Sequence, residues 1–384
     1  MSGLAARFAA TFAACIGAAA IAATLHSGTA IAQMQLAPQS IPATKPKPHH
    51  KPPKRTETAK PAAPAASSGP APSAPAASSG SPDSTVREPD LAFGAFQRGN
   101  YITAFSLATQ RAADKDDPKS MTLLGELYAN GLGIPQDDKK AEDWYKLAAA
   151  RGDANAMFAL GMFRMQGRAG SRDRVESAKW LAAAAKLGHP IAAYDLALLY
   201  MEGELFPRDL ARAAQLLRIS AQAGNPQAEY ALGTLYKEGR GVAKDMHEAV
   251  RLFGLAALGD QTDAEVEYGI DLFNGDGIER NQEMAAALFR KAALMGNPVA
   301  QDRLAIILAN GLGVKADPIE AAKWHLISKA AGETDLTLDD FVNKLDAKSR
   351  AAAEQAAKPW IDTINRSIAA RTRAPPVEPT AAAK

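Results

Sequence analysis

The sequence predicts an all-α solenoid of stacked helix-turn-helix units, and three series of residues predict it. Gly131, Gly167, Gly203, Gly239, Gly275 and Gly311 stand 36 residues apart. Ala141, Ser177, Ala213, Ala249, Ala285 and Ala321 keep the same interval, and so do Trp144, Trp180, Leu216, Leu252, Leu288 and Trp324. Self-similarity at one fixed period of this length marks an array whose units bury their apolar faces against one another. Six units therefore occupy residues 118–332.

The fourth unit shows the design of each one. Ala228, Leu232, Leu235 and Tyr236 fall at i, i+4, i+7 and i+8, on one face of a first helix. The turn Gly239-Arg240-Gly241-Val242 follows, with glycine supplying the backbone freedom that a helix ending needs. Asp245 is placed to cap a second helix carrying Ala249, Leu252, Phe253, Ala256 and Ala257, which Gly259 closes. The small residues Gly233, Ala249 and Ala256 allow close helix approach.

Some units depart from this pattern. Gly167-Arg168-Ala169-Gly170 has its second glycine displaced, and Gly203-Glu204-Leu205 lacks one. Asp271 stands where the other units have Leu127, Phe163, Leu199, Leu235 and Ile307. A buried unpaired Asp costs roughly 2–7 kcal/mol or more, so the expectation is that Asp271 is exposed or that a local rotation lets Phe273 take over its packing.

The array needs ends. Residues 90–117 read as a degenerate helical pair around Phe93, Phe96, Tyr101 and Phe105, and residues 333–373 as capping helices begun at Asp335 or Thr337. Residues 374–384 form a Pro- and Ala-rich tail, expected to be disordered.

Composition divides the N-terminal part. Residues 1–32 have the order of a secretory signal peptide: Arg7, an apolar run from Phe8 to Leu25, then Ala30-Ile31-Ala32 before Gln33. Cleavage after Ala32 places the mature chain in the periplasm or outside the cell. The alternatives are an uncleaved inner-membrane anchor facing the periplasm, the only membrane association expected, or lipidation at Cys15. Residues 33–89 are a Pro/Ala/Ser/Lys-rich linker, expected to be disordered, because proline lacks an amide donor and restricts the residue before it. Its seven basic residues face three acidic ones, whereas the chain from Asp90 onward has 36 basic against 39 acidic. A near-neutral folded part lacks the electrostatic footprint of a nucleic-acid binder.

No catalytic constellation is present. There is no P-loop, no G-x-G-x-x-G after a strand, no H-E-x-x-H and no G-x-S-x-G. Cys15, the single cysteine, lies in the leader, which excludes thiol chemistry from a cleaved chain. His189, His247 and His325 sit in different units, and His49-His50 lies in the linker. The expectation is no cofactor, no metal, no small-molecule substrate and no enzymatic activity.

Three stretches resemble the Sel1-like repeat family, a relative of the tetratricopeptide repeat. They are the Ala-x-Tyr-x-Leu-Gly-x-x-Tyr run at Ala228 to Tyr236, the Gly-x-Gly-Val turn at Gly239 to Val242, and the Ala-x-x-Trp-Tyr-x-x-Ala-Ala run at Ala141 to Ala149. The resemblance covers residues 118–332 and implies a right-handed α-solenoid whose first helices line a concave surface. It also implies an adaptor or regulator that binds another protein, often in the bacterial envelope. By that geometry Asn155, Phe158, Met162 and Met165 of the second unit, and Ile191, Tyr194, Leu198 and Met201 of the third, point into the groove. In the fourth, Gln227, Tyr230, Thr234 and Lys237 make it more polar. The candidate partner-binding residues are Phe158, Met162, Met165, Tyr194, Leu198 and Met201, because exposed apolar patches mark interaction sites and Met suits adaptable ones. The same residues also fit plain packing between units. Two other readings stand beside this one: a structural envelope spacer tethered by a retained N-terminus, and an enzyme without a recognisable motif.

Overall fold

The computed structural model describes residues 90–373. The leader, the linker and the C-terminal tail lie outside the described residues. Within them are 16 helices and no strand. An N-terminal pair, α1 (Leu91–Gln97) and α2 (Tyr101–Lys115), comes first. Six pairs follow: α3 (Pro118–Asn130) with α4 (Asp138–Ala150), α5 (Ala154–Gln166) with α6 (Arg174–Lys186), and α7 (Pro190–Glu202) with α8 (Leu210–Gln222). Then come α9 (Pro226–Glu238) with α10 (Met246–Leu258), α11 (Thr262–Asn274) with α12 (Gln282–Leu294), and α13 (Pro298–Asn310) with α14 (Pro318–Ala330). The chain ends in α15 (Leu336–Lys344) and α16 (Ala347–Arg373). In the repeats each first helix packs on its pair-mate, and each second helix packs in turn on the first helix that follows, which is the one-dimensional stacking of an α-solenoid.

Caps set the uniform length of the twelve repeat helices. The first helices are capped by Asp117, Asp153, His189, Asn225, Gln261 and Asn297, whose side chains accept from the backbone N–H three residues on. The second helices are capped in the same way by Asp137, Asp173, Asp209, Asp245, Asn281 and Asp317. At the other end of each first helix the repeated glycine adopts the left-handed conformation and donates its N–H to the carbonyl four residues back, as Gly239 does to Leu235.

His189 is the unusual cap. Its Nδ1 accepts from the Ala192 N–H at 3.1 Å, and its ring stacks on Phe158 with centroids 4.6 Å apart. Burial holds the imidazole below its ordinary basicity, with Asp153 opposing that in part. Protonation would turn Nδ1 from acceptor to donor and remove the cap. The folded pKa lies below the unfolded one, so this contribution is present above about pH 6.5 and lost as pH falls further. His189→Asn, which installs the cap used by the fourth and sixth units, is expected to lose less stability than wild type between pH 7.5 and 5.5. Parallel urea titrations at the two pH values check this.

Within each unit the first helix presents a small residue to a large one on the second. A Cβ added at Gly125, Gly233 or Gly269 would fall 2.5, 2.8 or 2.9 Å from the rings of Tyr145, Phe253 or Phe289. Where alanine stands instead, at Ala197 and Ala305, the facing register holds Leu217 and His325. Between units, the second turn glycine seats on the start of the preceding unit's second helix: a Cβ at Gly241 would lie 2.4 Å from the Leu210 carbonyl carbon and oxygen. In the second unit Ala169 takes that left-handed conformation at φ 58°. In the third, Phe206 closes the turn by stacking on Tyr200 at 5.1 Å.

Asp271 differs from both expectations for it. It is neither exposed nor rotated away: it is 1% exposed, and Phe273 is buried beside it. Lys237 of the preceding unit supplies the compensation, with Nζ 3.3 Å from Asp271 Oδ1 and 2.7 Å from Glu267 Oε2. Both ends close as helices. Phe105 packs edge-on to Tyr128 at 5.7 Å, and Trp360 on α16 packs against Trp324 at 5.5 Å. Asp335 caps α15 by accepting from the N–H groups of Thr337 and Leu338.

Candidate interaction face

Helix α7 has one side packed on its neighbours and the other side accessible in part. On α7 the packed side is Ala192, Ala193, Leu196, Ala197 and Leu199, all buried. The outer side is Ile191, Tyr194, Asp195, Leu198 and Met201. Ile191 is 38% exposed, and Tyr194, Leu198 and Met201 are half-buried, Tyr194 and Met201 packing in part on the core of the next unit. Four of the six residues expected on this face are thus accessible in part: Phe158, Tyr194, Leu198 and Met201.

The other two are not presented. Met162 is 6% and Met165 is 8% exposed. Helix α5 is apolar around most of its circumference, and its buried side includes Leu160, Met162, Phe163 and Met165, leaving Phe158 as its partly accessible apolar residue on this face. Met165 joins the core formed with Leu181, Leu196 and Leu199 of the neighbouring helices. The accessible apolar surface is therefore centred on α7.

The face also carries charge that the apolar pattern concealed. Asp195 has no hydrogen bond or ion pair, and burial pushes its carboxyl up to about 7. Its register position is held by Ala159 and Ala231 in the flanking units, a contrast that same-register comparison of the sequence would have found. Burial likewise raises Glu126 on α3 above the usual carboxylate range. Further along, Lys237, Glu267 and Asp271 form the closed cluster described above.

No three His, Cys, Asp or Glu side chains among the described residues are placed to hold a metal ion. No helix among them is long and apolar enough to cross a membrane. A cleft of about 640 Å³ between α14, α15 and α16 is lined by His325, Lys329, Asp339, Asn343, Arg350 and Glu354. His325 Nε2 lies 2.9 Å from Asp339 Oδ1, but the lining holds no hydroxyl or thiol that such a pair could activate. The pair ties the end cap to the last unit.

Comparison with known proteins agrees with this architecture. The Sel1 repeat family model matches residues 118–153, 154–189, 190–225, 226–260, 262–297 and 298–333, more than half of the chain. A solved Sel1 repeat protein from Oxalobacter formigenes is 31% identical, with a TM-score of 0.51, over 63% of this chain and 98% of that one. A protective antigen of uropathogenic Escherichia coli strains displaying an SLR fold is 25% identical, with a TM-score of 0.51, over 74% of this chain and 68% of that one. No curated protein matches. The Sel1 solenoid is a typical non-enzymatic interaction fold, and this chain belongs to the Sel1 repeat family, whose members generally mediate protein–protein interaction.

Proposed function

We propose that this protein is a non-catalytic adaptor or regulator of the bacterial envelope that binds a partner protein on the concave, first-helix face of its solenoid. The observation that carries the reading is the accessible apolar stripe of α7: Ile191, Tyr194, Leu198 and Met201 on one side of a helix whose other side is fully packed. Isolated exposed apolar residues are ordinary on a protein surface, but a row of them along one helix face suits a partner. Site of action rests on the leader, whose order is that of an export signal.

A photo-crosslinking residue at position 198, with one at exposed position 179 on α6 as the control, tests the surface in intact cells. A discrete adduct from 198 and none from 179 is the expected result. Equal labelling from both, or none from either, would overturn the assignment of this face. Mass spectrometry of the native N-terminus tests the setting. A start at Gln33 fits an exported, untethered protein, while retention of residues 1–32 would favour the tethered spacer instead.

A further inference from the structure

Asp195 sets the chemistry of the partner. Helix α7 contains two acidic residues, Asp195 and Glu202, and no basic one. Glu202 is satisfied by Arg174 of the preceding helix at 3.0 Å. Asp195 is not paired with anything, although it lies half-buried on an apolar face between Tyr194 and Leu198. A half-buried carboxylate with no cation beside it carries a desolvation cost, which a protein of this design could remove by placing alanine there. The flanking units do have alanine, Ala159 and Ala231, at the same register.

The surroundings suit one kind of group. Tyr194 adjoins Asp195, and Phe158 and Tyr230 hold the Tyr194 position in the flanking units. Aromatic faces attract an ammonium or guanidinium, and the aliphatic stem of Lys or Arg packs on apolar side chains such as Leu198 and Met201. An ion pair formed in such a place is screened far less than one on an open surface.

We propose that the first-helix face of units two to four receives a Lys or Arg side chain of a partner protein segment, with Asp195 as its counter-ion and the apolar residues around it gripping the flanking positions. This rests on the interaction-module reading above and names the chemistry of the partner. Burial, which holds the Asp195 carboxyl above the usual carboxylate range, is the same condition that makes an arriving cation effective.

The test is a selection of random twelve-residue peptides on the full chain, followed by fluorescence anisotropy with the peptides recovered. Wild type is expected to select peptides with a Lys or Arg at one fixed position among apolar residues. Asp195→Asn should weaken those peptides by roughly 30-fold or more, the effect of removing one member of a desolvated charge pair. Asp195→Lys should select Asp or Glu at the fixed position instead. Asp195→Ala, the residue of the flanking units, should fold and raise Tm by roughly 2–4 °C, since about 1 kcal/mol corresponds to that shift in a domain of this size. Peptides that compete for the Leu198 surface but carry no fixed cation, or that bind Asp195→Asn equally well, would overturn the counter-ion role and leave the interaction face standing. Failure to select any peptide that Leu198→Asp abolishes would overturn both.

Discussion

Gly241→Ala is expected to destabilise the solenoid by roughly 2–5 kcal/mol, about 1–2 from the left-handed backbone and a further 1–3 from overpacking. Gly241 has φ 72°, and its missing Cβ would press on the Leu210 carbonyl at the start of α8. Backbone lies on both sides of that contact, so no side chain can swing aside to relieve it. Gly224 provides the matched control: its φ is 78°, but nothing lies within 4 Å of its ideal Cβ. Gly224→Ala should therefore show the backbone cost alone. The difference between the two variants, measured by urea unfolding, isolates what the turn of the fourth unit contributes by seating on the third. In an array whose stability is a sum of unit and junction contributions, that loss falls on one junction. Hydrogen exchange should show α8 and α9 opening ahead of the rest. Equal effects of the two alanines would mean that the seating contributes nothing.

The second large effect concerns the junction between the fourth and fifth units. Lys237→Met places there the residue found in register at Met165 and Met201, yet it is expected to destabilise increasingly above pH 7, by up to about 3–5 kcal/mol where Asp271 must ionise, because it then strands a buried carboxylate. Asp271 Oδ2 already lacks a hydrogen-bond partner, so Lys237 is the principal compensation this group has. Adding Asp271→Leu, the residue in register at Leu127, Leu199 and Leu235, should bring the double variant to within about 1 kcal/mol of wild type or above it, since apolar replacement of a whole buried pair is often neutral or stabilising. Glu267, left alone, is partly exposed and can hydrate. A double-mutant cycle in urea checks this, and an additive result would show that the two groups are not coupled.

The pH dependence follows from the same cluster. Burial pushes the Asp271 carboxyl up to about 7, against the pull of Lys237. The folded state thus keeps a proton that the unfolded chain releases near pH 4. Stability from this group falls as pH rises from about 4 to 7 and is level above that. Without Lys237 the carboxyl moves higher still, so Lys237→Met should go on losing stability above pH 7. The double variant should lose the part of the slope that Asp271 contributes.

The sequence by itself determined the repeat, its period, the helix pair in each unit, the glycine that ends each first helix and the small-to-large contacts within units. These depend on local backbone preference and on which residues share a helix face, and both repeat every 36 residues. The caps were equally legible. The series from Asp117 to Asn297 and from Asp137 to Asp317 keep the same interval.

Tertiary structure alone decided two things. The first was which face of α5 is accessible. A helix that is apolar nearly all round gives no periodicity to orient it, so Met162 and Met165 read as groove residues until stacking buried them. The second was the partner of each odd charge. Asp271 interrupts an otherwise apolar register, whereas the register of Asp195 also holds Glu267 and Arg303 in later units. Stacking brings Lys237 from 34 residues earlier onto Asp271 and brings no cation to Asp195. Whether a charge is satisfied depends on distances between units, which the period of the sequence does not encode.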